Sequence, residues 1–292
     1  MSNTIAGVNL AQVSMESLPA LQALFAPLSS VTTDFSSEIA DKGASITTRY
    51  PVNVTAQDLT LGFISTGVET VAKTITLNQY PGFVYGFSDL ERSKSSINLN
   101  DLFINPAMTA LGKSVFGSVW NLVTSSNFDS VGINAGNFDR SDLADLSARL
   151  TSQGMPTEGR AVLLNPTYFA SLVKSLNSAE FPGFIREKAE GFIPRVAGFD
   201  VYQSSECDAN GQGLGGFAFH KSALLFASRR VNSDGAAQMG VEVSDVLIPQ
   251  LNLPVQLRRF YNVTSAELIY SVGLLFGCTS GRSEAGVRIV AE

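Results

Sequence analysis

Charged side chains are scarce in this sequence. Asp, Glu, Lys and Arg make up only 16% of its 292 residues, against roughly 25% in typical soluble domains. Twenty basic and 26 acidic residues give a net charge of −6. This composition excludes intrinsic disorder and argues against nucleic-acid binding through a basic patch. Two explanations stay open: a neutral polar surface, or a surface buried against other copies, since interface cores are depleted of charge.

Cysteines and long apolar runs are also scarce. Cys207 and Cys278 are the only cysteines and form no CxxC pair, which excludes a disulfide framework and predicts reduced thiols. The longest nearly apolar run, residues 268–278, has about half of the ~20 residues that a membrane helix needs. No Lys or Arg precedes Lys42, so the basic start of a secretory signal is lacking. We expect a soluble chain with no membrane partner.

Residue sets for catalysis are missing as well. His220 is the only histidine, and Phe219 and Lys221 flank it in a strand-like segment. We therefore expect a packed or exposed imidazole rather than a general base. Neither G-x-S-x-G nor H-E-x-x-H occurs. We expect no enzyme, catalytic residue, cofactor or metal, although pairs of carboxylates stay open because a sequence does not show spatial proximity.

Three motif matches fail on their surroundings. Residues 107–114 fit a loose phosphate-binding loop, but they lie in the apolar stripe of a predicted helix. Residues 211–216 match G-x-G-x-x-G, but a strand-like segment follows instead of a helix, which predicts a surface turn. A polar loop lacks the spacing of a calcium hand, so we expect loop and helix-cap roles for its residues Asp129, Asn134, Asn137, Asp139 and Asp142.

Residues 1–44 predict an N-terminal arm. Leu18, Leu21 and Leu28 recur at helical spacing, which predicts a short helix over residues 15–28. No other part of this segment has a sustained period. We expect an extended arm that packs only on a surface outside itself.

Residues 45–92 predict an extended hairpin. The segments 46–50 and 74–78 are rich in β-branched residues and partly alternate, which is typical of strands. Residues 56–71 between them contain two glycines and predict a loop tip. A lone hairpin is marginally stable in water, so this one lies on the body of the protein or reaches a neighbour.

The strongest helical pattern lies within residues 97–128. Asn105 is a favourable N-cap and Pro106 fits the first helical position, so the helix is predicted to begin there. A second helix begins at Asp139 or Ser141 and ends near Gly154.

A strand-to-helix unit comes next. Residues 160–164 predict a strand, and Asn165-Pro166 repeats the cap-and-proline signal before a helix. Residues 198–202 predict a strand, 204–216 a Gly-rich loop, and 240–276 several strands.

Three segments carry a resemblance to a known family. Residues 160–172 read RAVLLNPTYFASL, residues 198–204 read GFDVYQS, and residues 219–224 read FHKSAL. In this order they resemble segments of the major capsid proteins of tailed bacteriophages with the Hong Kong 97 type of fold. The resemblance covers most of residues 45–292.

The resemblance implies an α+β capsid fold with four parts. They are the N-terminal arm (1–44), the extended hairpin loop (45–92), a peripheral domain with a long spine helix (93–159 and 247–292) and an axial domain (160–246). The hairpin would lie over an adjacent subunit, and an apolar tip invites burial there. Leu59 and Phe63 at the tip are therefore candidate inter-subunit contacts, together with Arg49 in the first strand of the hairpin.

The same resemblance implies a major capsid protein that self-assembles into an icosahedral head around double-stranded DNA. Its partners would be other copies in hexamers and pentamers, a separate scaffolding protein and a portal, and the DNA would be enclosed without sequence-specific binding. Assembly would take place in the host cytoplasm, and the protein would reside in the virion. One alternative is an encapsulin-type nanocompartment shell around a cargo enzyme. The second alternative is a carboxylate-dependent hydrolase.

Overall fold

Helices and strands are interspersed along the chain. The computed structural model describes residues 26–39, 45–51, 60, 70–94, 99–176, 195–233, 235–248 and 253–291. The helices are α1 (Asp89–Lys94), α2 (Leu99–Trp120), α3 (Arg140–Ser152) and α4 (Pro166–Ser175). The strands are β1 (Thr32–Ile39), β2 (Ser45–Pro51), β3 (Thr70–Thr76), β4 (Gly82–Ser88), β5 (Asp129–Gly132), β6 (Arg160–Leu164), β7 (Asp200–Gln203), β8 (Leu214–His220), β9 (Leu224–Arg230), β10 (Glu242–Ile248), β11 (Leu253–Asn262), β12 (Glu267–Gly273), β13 (Leu275–Ser280) and β14 (Gly286–Val290). The predicted α+β class is confirmed.

The strands form four sheets. A five-stranded sheet has the order β5-β14-β8-β6-β7, and a four-stranded sheet the order β10-β11-β12-β4. A three-stranded sheet joins β1, β9 and β13, and β2 pairs with β3 alone. The chain crosses directly from the five-stranded to the three-stranded sheet between β8 and β9, and it crosses back between β13 and β14.

The five-stranded sheet lies at the centre of the core. Every residue of β6 and of β8 is buried, which explains why these segments are apolar without alternation, apart from Arg160 at the start of β6 and His220 at the end of β8. Helix α2 packs against this sheet through Trp120, whose ring meets that of Phe217 edge-on at 5.7 Å. Trp120 also stacks on Phe116 one turn earlier, with ring centroids 5.4 Å apart.

Helix α2 begins earlier than its sequence signal predicts. It starts at Leu99 and contains Pro106, so the prediction of a start at Asn105-Pro106 is wrong. A proline inside a helix removes one backbone hydrogen bond. The buried residues that follow, including Met108, Leu111 and Val115, outweigh this loss by packing into the main core. The loose phosphate-loop match at 107–114 lies inside this helix, as expected.

Helices α3 and α4 begin where local signals predict. The carboxylate of Asp139 accepts hydrogen bonds from the backbone of Ser141 and Asp142, and Asp142 returns the contact to complete a capping box. Asn165 caps α4 by accepting a hydrogen bond from the Thr167 N–H. None of the described helices is both long and apolar enough to cross a membrane.

The remaining loop predictions are confirmed, except that Asp129 lies in strand β5 and residues 214–216 already belong to β8. Within the polar loop, the Asn134 side chain accepts a hydrogen bond from Gly136 N–H at 2.8 Å, and Asp129 pairs with Arg149 at 3.2 Å. In the G-x-G-x-x-G match, Gly211 and Gly213 have positive φ and form a turn that leads into β8.

The segment before the hairpin packs on its own chain. Leu28 and Val31 are buried in the main core, and β1 pairs in parallel with β9 from Thr32 opposite Leu225 onward. The expectation that the arm packs on a surface outside itself is therefore confirmed for the described part of the arm, and that surface belongs to the body of the same chain. A lone extended strand leaves its backbone groups unpaired, and the edge of β9 supplies the missing partners. The helix predicted over residues 15–28 lies mostly outside the described residues.

Arg160 is a fully buried cation that joins α3 to β6. Its guanidinium donates to the carbonyls of Met155 and Pro156 at 2.6 and 2.7 Å. It also donates to the Ser147 carbonyl and hydroxyl, both at 2.9 Å, and to the Thr151 hydroxyl at 3.0 Å. Because these acceptors lie in and just after the last turns of α3, the negative end of the helix dipole stabilises the charge.

We predict that Arg160→Met lowers the free energy of unfolding by about 3 kcal/mol, because each buried carbonyl left without a donor costs about 1–3 kcal/mol. Denaturant unfolding measures this loss. Arg195→Met is the matched control, since this arginine is half exposed and should contribute less than about 1 kcal/mol. Equal losses in the two variants would contradict the assigned role of Arg160.

Candidate functional site

The predicted hairpin is present, and its base is seated on the body. Strands β2 and β3 pair without a bulge from Ser45 opposite Thr76 to Pro51 opposite Thr70. On the inward face, Ile75 is only 3% exposed and packs against Leu225 and Ala227 of β9. The three-stranded sheet therefore supports the base of the hairpin.

The contact between the hairpin base and the body depends on a close approach of β3 to Gly277 of β13. A Cβ at this position would lie 2.1 Å from the Thr76 carbonyl oxygen. Only glycine therefore allows β3 to reach this distance from β13. Beyond β3, the backbone of Gln79 exchanges two hydrogen bonds with Phe276, of 3.1 and 2.9 Å, which continues the contact.

A second contact holds the base near Tyr50. The Arg282 guanidinium lies 5.3 Å from the centre of the Tyr50 ring, a cation–π distance. Burial raises the pKa of the Tyr50 hydroxyl, and the positive charge of Arg282 opposes this rise. The phenol is therefore neutral at physiological pH.

Side chains of the hairpin contact the body less and less toward its tip. Along the inward face of β3, exposure rises from 3% at Ile75 to 49% at Val71. The outward face, with Thr47, Arg49 and Thr74, is exposed along its length. Among the described residues, the far end of the hairpin thus offers both faces to a partner.

The three predicted contact residues have different outcomes. Arg49 lies on the outward face of β2, opposite Ala72. Leu59 and Phe63 lie outside the described residues. The structure therefore does not bring the three together, and their inter-subunit role stays a prediction.

A tight turn connects the sheets, and the sequence did not reveal it as a centre of contacts. Residues 221–223 form this turn between β8 and β9. Their carbonyls accept backbone hydrogen bonds from Thr32 (2.9 Å), Gly281 (2.8 Å) and Arg282 (3.0 Å). We call residues 220–223 together with 280–282 the sheet junction. The arm, both crossing connections and two sheets meet there.

His220 is the titratable group of the junction. The Ser222 backbone N–H donates to its Nδ1 at 3.3 Å, and the Ser222 hydroxyl lies 2.8 Å from the same nitrogen. Because Nδ1 accepts, the proton of the neutral ring lies on Nε2. Burial lowers the pKa of His220, and the positive charges of Lys221, Arg160 and Arg282 lower it further, against a backbone hydrogen bond to Glu158 that raises it. Of the two expected placements for His220, packed or exposed, the structure shows the packed one.

The described residues offer little for metal or nucleophilic chemistry. Within them, no group of three or more His, Cys, Asp or Glu side chains is placed to hold a metal ion. Burial raises the pKa of Cys278 to about 11, so its thiol is protonated and a weak nucleophile at neutral pH. The features that stand out among the described residues are the hairpin surface and the sheet junction.

Comparison with solved structures points to one kind of fold. The capsid of Ralstonia phage GP4 is 9% identical, with a TM-score of 0.61 over 90% of this chain and 87% of that one. A structure from Mycobacterium phage Che8 is 16% identical, with a TM-score of 0.58 over 99% and 93%. The chain has the fold of phage capsid proteins. The resemblance stated from sequence is confirmed at the level of this capsid fold.

The capsid fold also occurs in a structure that is not named as a phage. A virus-like particle from Pyrococcus furiosus is 11% identical, with a TM-score of 0.55 over 95% of this chain and 96% of that one. No family model matches the sequence, and no curated protein matches it significantly.

We predict that Gly277→Ala destabilises the hairpin base by about 1–3 kcal/mol, because the new methyl group overpacks against the Thr76 carbonyl. Denaturant unfolding and amide exchange of β3 measure the effect. Gly117→Ala in α2 is the control, since no atom lies within 4 Å of its added Cβ. That change should stabilise by about 0.5–1 kcal/mol. Equal changes in unfolding free energy for the two variants would contradict the close approach of β3 to β13 at Gly277.

We also predict that acid weakens the sheet junction. The folded pKa of His220 lies below its ordinary value of 6.5, so its contribution to stability is present above pH 6.5. It is lost as the pH falls through the folded pKa, by at most about 1.4 kcal/mol per pH unit. His220→Gln should therefore show a smaller drop in unfolding free energy between pH 7 and about pH 5. Identical decreases in unfolding free energy for the wild type and His220→Gln would contradict the assigned role of His220.

Proposed function

We propose that this chain is the major capsid protein of a tailed bacteriophage, which assembles into an icosahedral head around double-stranded DNA. The observation that carries the proposal is the match to phage capsid structures over nine-tenths or more of the chain. The partners proposed with it are other copies in hexamers and pentamers, a separate scaffolding protein and a portal. The protein would reside in the virion after assembly in the host cytoplasm.

The division of labour within the subunit is part of the proposal. Residues 160–246 would supply most of the axial domain, whose sheet also takes in β5 and β14. Residues 93–159 and 247–292 would supply most of the peripheral domain, with α2 as its spine. The hairpin of residues 45–92 would lie over the adjacent subunit, with Arg49, Leu59 and Phe63 as contacts. Its exposed outward face and the loss of support toward Val71 favour this placement.

The proposed role is structural rather than catalytic. Contacts that are each weak become strong when a closed shell repeats them, and head-to-tail contacts close rings. The net charge of −6 fits a shell that encloses DNA without adhering to it.

A nanocompartment shell is the second candidate. The match to the virus-like particle from Pyrococcus furiosus favours it specifically. The two candidates differ in content, because a phage head protects double-stranded DNA whereas a compartment holds protein cargo. Nuclease-resistant DNA in particles purified from the producing cells would support the phage head, and particles that contain only a second protein would support the compartment.

We predict that the full-length chain forms closed shells, alone or with its scaffolding protein. Negative-stain microscopy and sedimentation velocity measure this assembly. A strictly monomeric chain under both conditions would overturn the proposed function.

We predict that Leu59→Ser combined with Phe63→Ser leaves the monomer folded but reduces shell yield at least tenfold, because the hairpin tip loses apolar area that a neighbour buries. Sedimentation measures the shell yield, and thermal unfolding shows whether the monomer is folded. Leu90→Ser is the control, since Leu90 is 63% exposed but lies on α1, outside the paired hairpin strands. Normal shells from the double variant would show that the tip is not a contact.

A further inference from the structure

The four-stranded sheet carries apolar side chains on both of its faces. On one face, Leu257, Tyr270 and Val272 are buried in the main core. On the other face, Val84 is 67% exposed, and Ile269 and Phe260 are half-buried. An antiparallel sheet with one solvated face ordinarily carries polar residues on that face. The apolar side chains among the polar ones on this second face therefore call for a partner that covers them.

The exposed apolar side chains form a continuous stripe across the strands. Phe260 of β11 lies directly opposite Ile269 of β12, and Val84 of β4 is opposite Ser271, one step further along the same face. At one end the half-exposed Tyr80 ring lies over Gly273, where an added Cβ would be 2.9 Å from the ring. At the other end Met239, 87% exposed, lines a cavity of about 400 Å³ together with Phe260. We call these five residues the apolar stripe.

Opposite charges flank the stripe. Arg258 lies on this face two residues before Phe260, where it lines the same cavity. Its Nε and Nη2 donate to the neutral Gln256 Oε1 at 3.0 and 2.7 Å, which holds the guanidinium in place without neutralising it. Glu267 lies on the other side, two residues before Ile269, with its carboxylate over Gly86. Along the strand direction, the face thus presents a positive side chain, then the apolar stripe, then a negative side chain.

Such a face is complementary to itself. The stripe runs obliquely across the strands, with Arg258 on one side of it and Glu267 on the other. A second copy turned by 180° about an axis along the stripe places stripe on stripe and brings each Arg258 toward the Glu267 of the other copy. This is the condition for an isologous contact, in which one patch serves both partners. The buried stripe would supply the affinity, and the paired charges would set the orientation.

We propose that this face docks on the same face of a second copy of the chain through a two-fold axis. The inference rests on the proposed function, since a shell needs contacts between its rings as well as within them. The self-complementary charge order favours another copy over a lipid surface, which presents no cation and carboxylate at matched spacing.

The first test compares two exposed valines in the full-length chain. Val84→Asp places a charge in the stripe and should weaken association between copies at least tenfold in sedimentation velocity. Val263→Asp is the matched control: this residue is 84% exposed in the turn between β11 and β12, beyond the stripe, and association should stay within twofold of the wild type. Thermal unfolding verifies that both variants fold. Wild-type association of the Val84→Asp protein would overturn the proposal.

The second test exchanges the charges. Arg258→Glu and Glu267→Arg alone should each weaken association at least tenfold, because each creates like-charged pairs across the axis. The double variant restores opposite charges and should return to within about threefold of the wild type. A double variant as weak as either single one would overturn the two-fold arrangement.

The outcomes separate this inference from the proposed function. Dimers that respond to both tests, in a chain that never forms shells, would support the contact and contradict the capsid role. Shells that form normally from Val84→Asp would support the capsid role and overturn the contact. A monomer in which a covalent surface label fails to reach the Val84 side chain would show that the chain covers its own stripe, which also overturns the contact.

Discussion

The hydrogen bonds at the sheet junction are the constraint on which the rest of the structure depends. Gly281 and Arg282 donate to Ala223 and Ser222 and so bind the two connections between the five-stranded and three-stranded sheets to each other. Because the arm also donates to this turn through Thr32, three distant parts of the chain share one small set of backbone groups. The relative position of the two sheets follows from it.

The junction also decides where the hairpin begins. The three-stranded sheet carries the inward face of β3, while Arg282 of the junction lies over Tyr50 of β2. The base is thus held firmly, and the outward face remains exposed. An element that is anchored at one end and uncovered at the other suits contact between subunits. This arrangement links the internal packing of the subunit to its proposed assembly.

Two features of the structure bear on the low charge of the sequence. Some cations are internal, as Arg160 and Arg288 donate to backbone carbonyls and have no role at the surface. Some of the surface is apolar where charge would be expected, above all along the stripe that contains Val84. Composition favoured a polar neutral surface and a covered one equally, and the exposed apolar residues of the stripe favour a covered surface there.

Asn-Pro occurs twice before an apolar helix, and the two cases show how far sequence reasoning reaches. Asn165-Pro166 starts α4, because capping depends on atoms within three residues. Asn105-Pro106 lies inside α2, because the apolar residues after it bury so much area that the helix continues through the proline. Pairing within the hairpin, the capping box of α3 and the buried strand β6 were likewise determined by the sequence, through local hydrogen bonds and continuous apolar runs. The return of the arm to β9, the acceptors of Arg160, the sheet junction and the second apolar face were decided by the tertiary structure, since each joins residues that are neighbours only after folding.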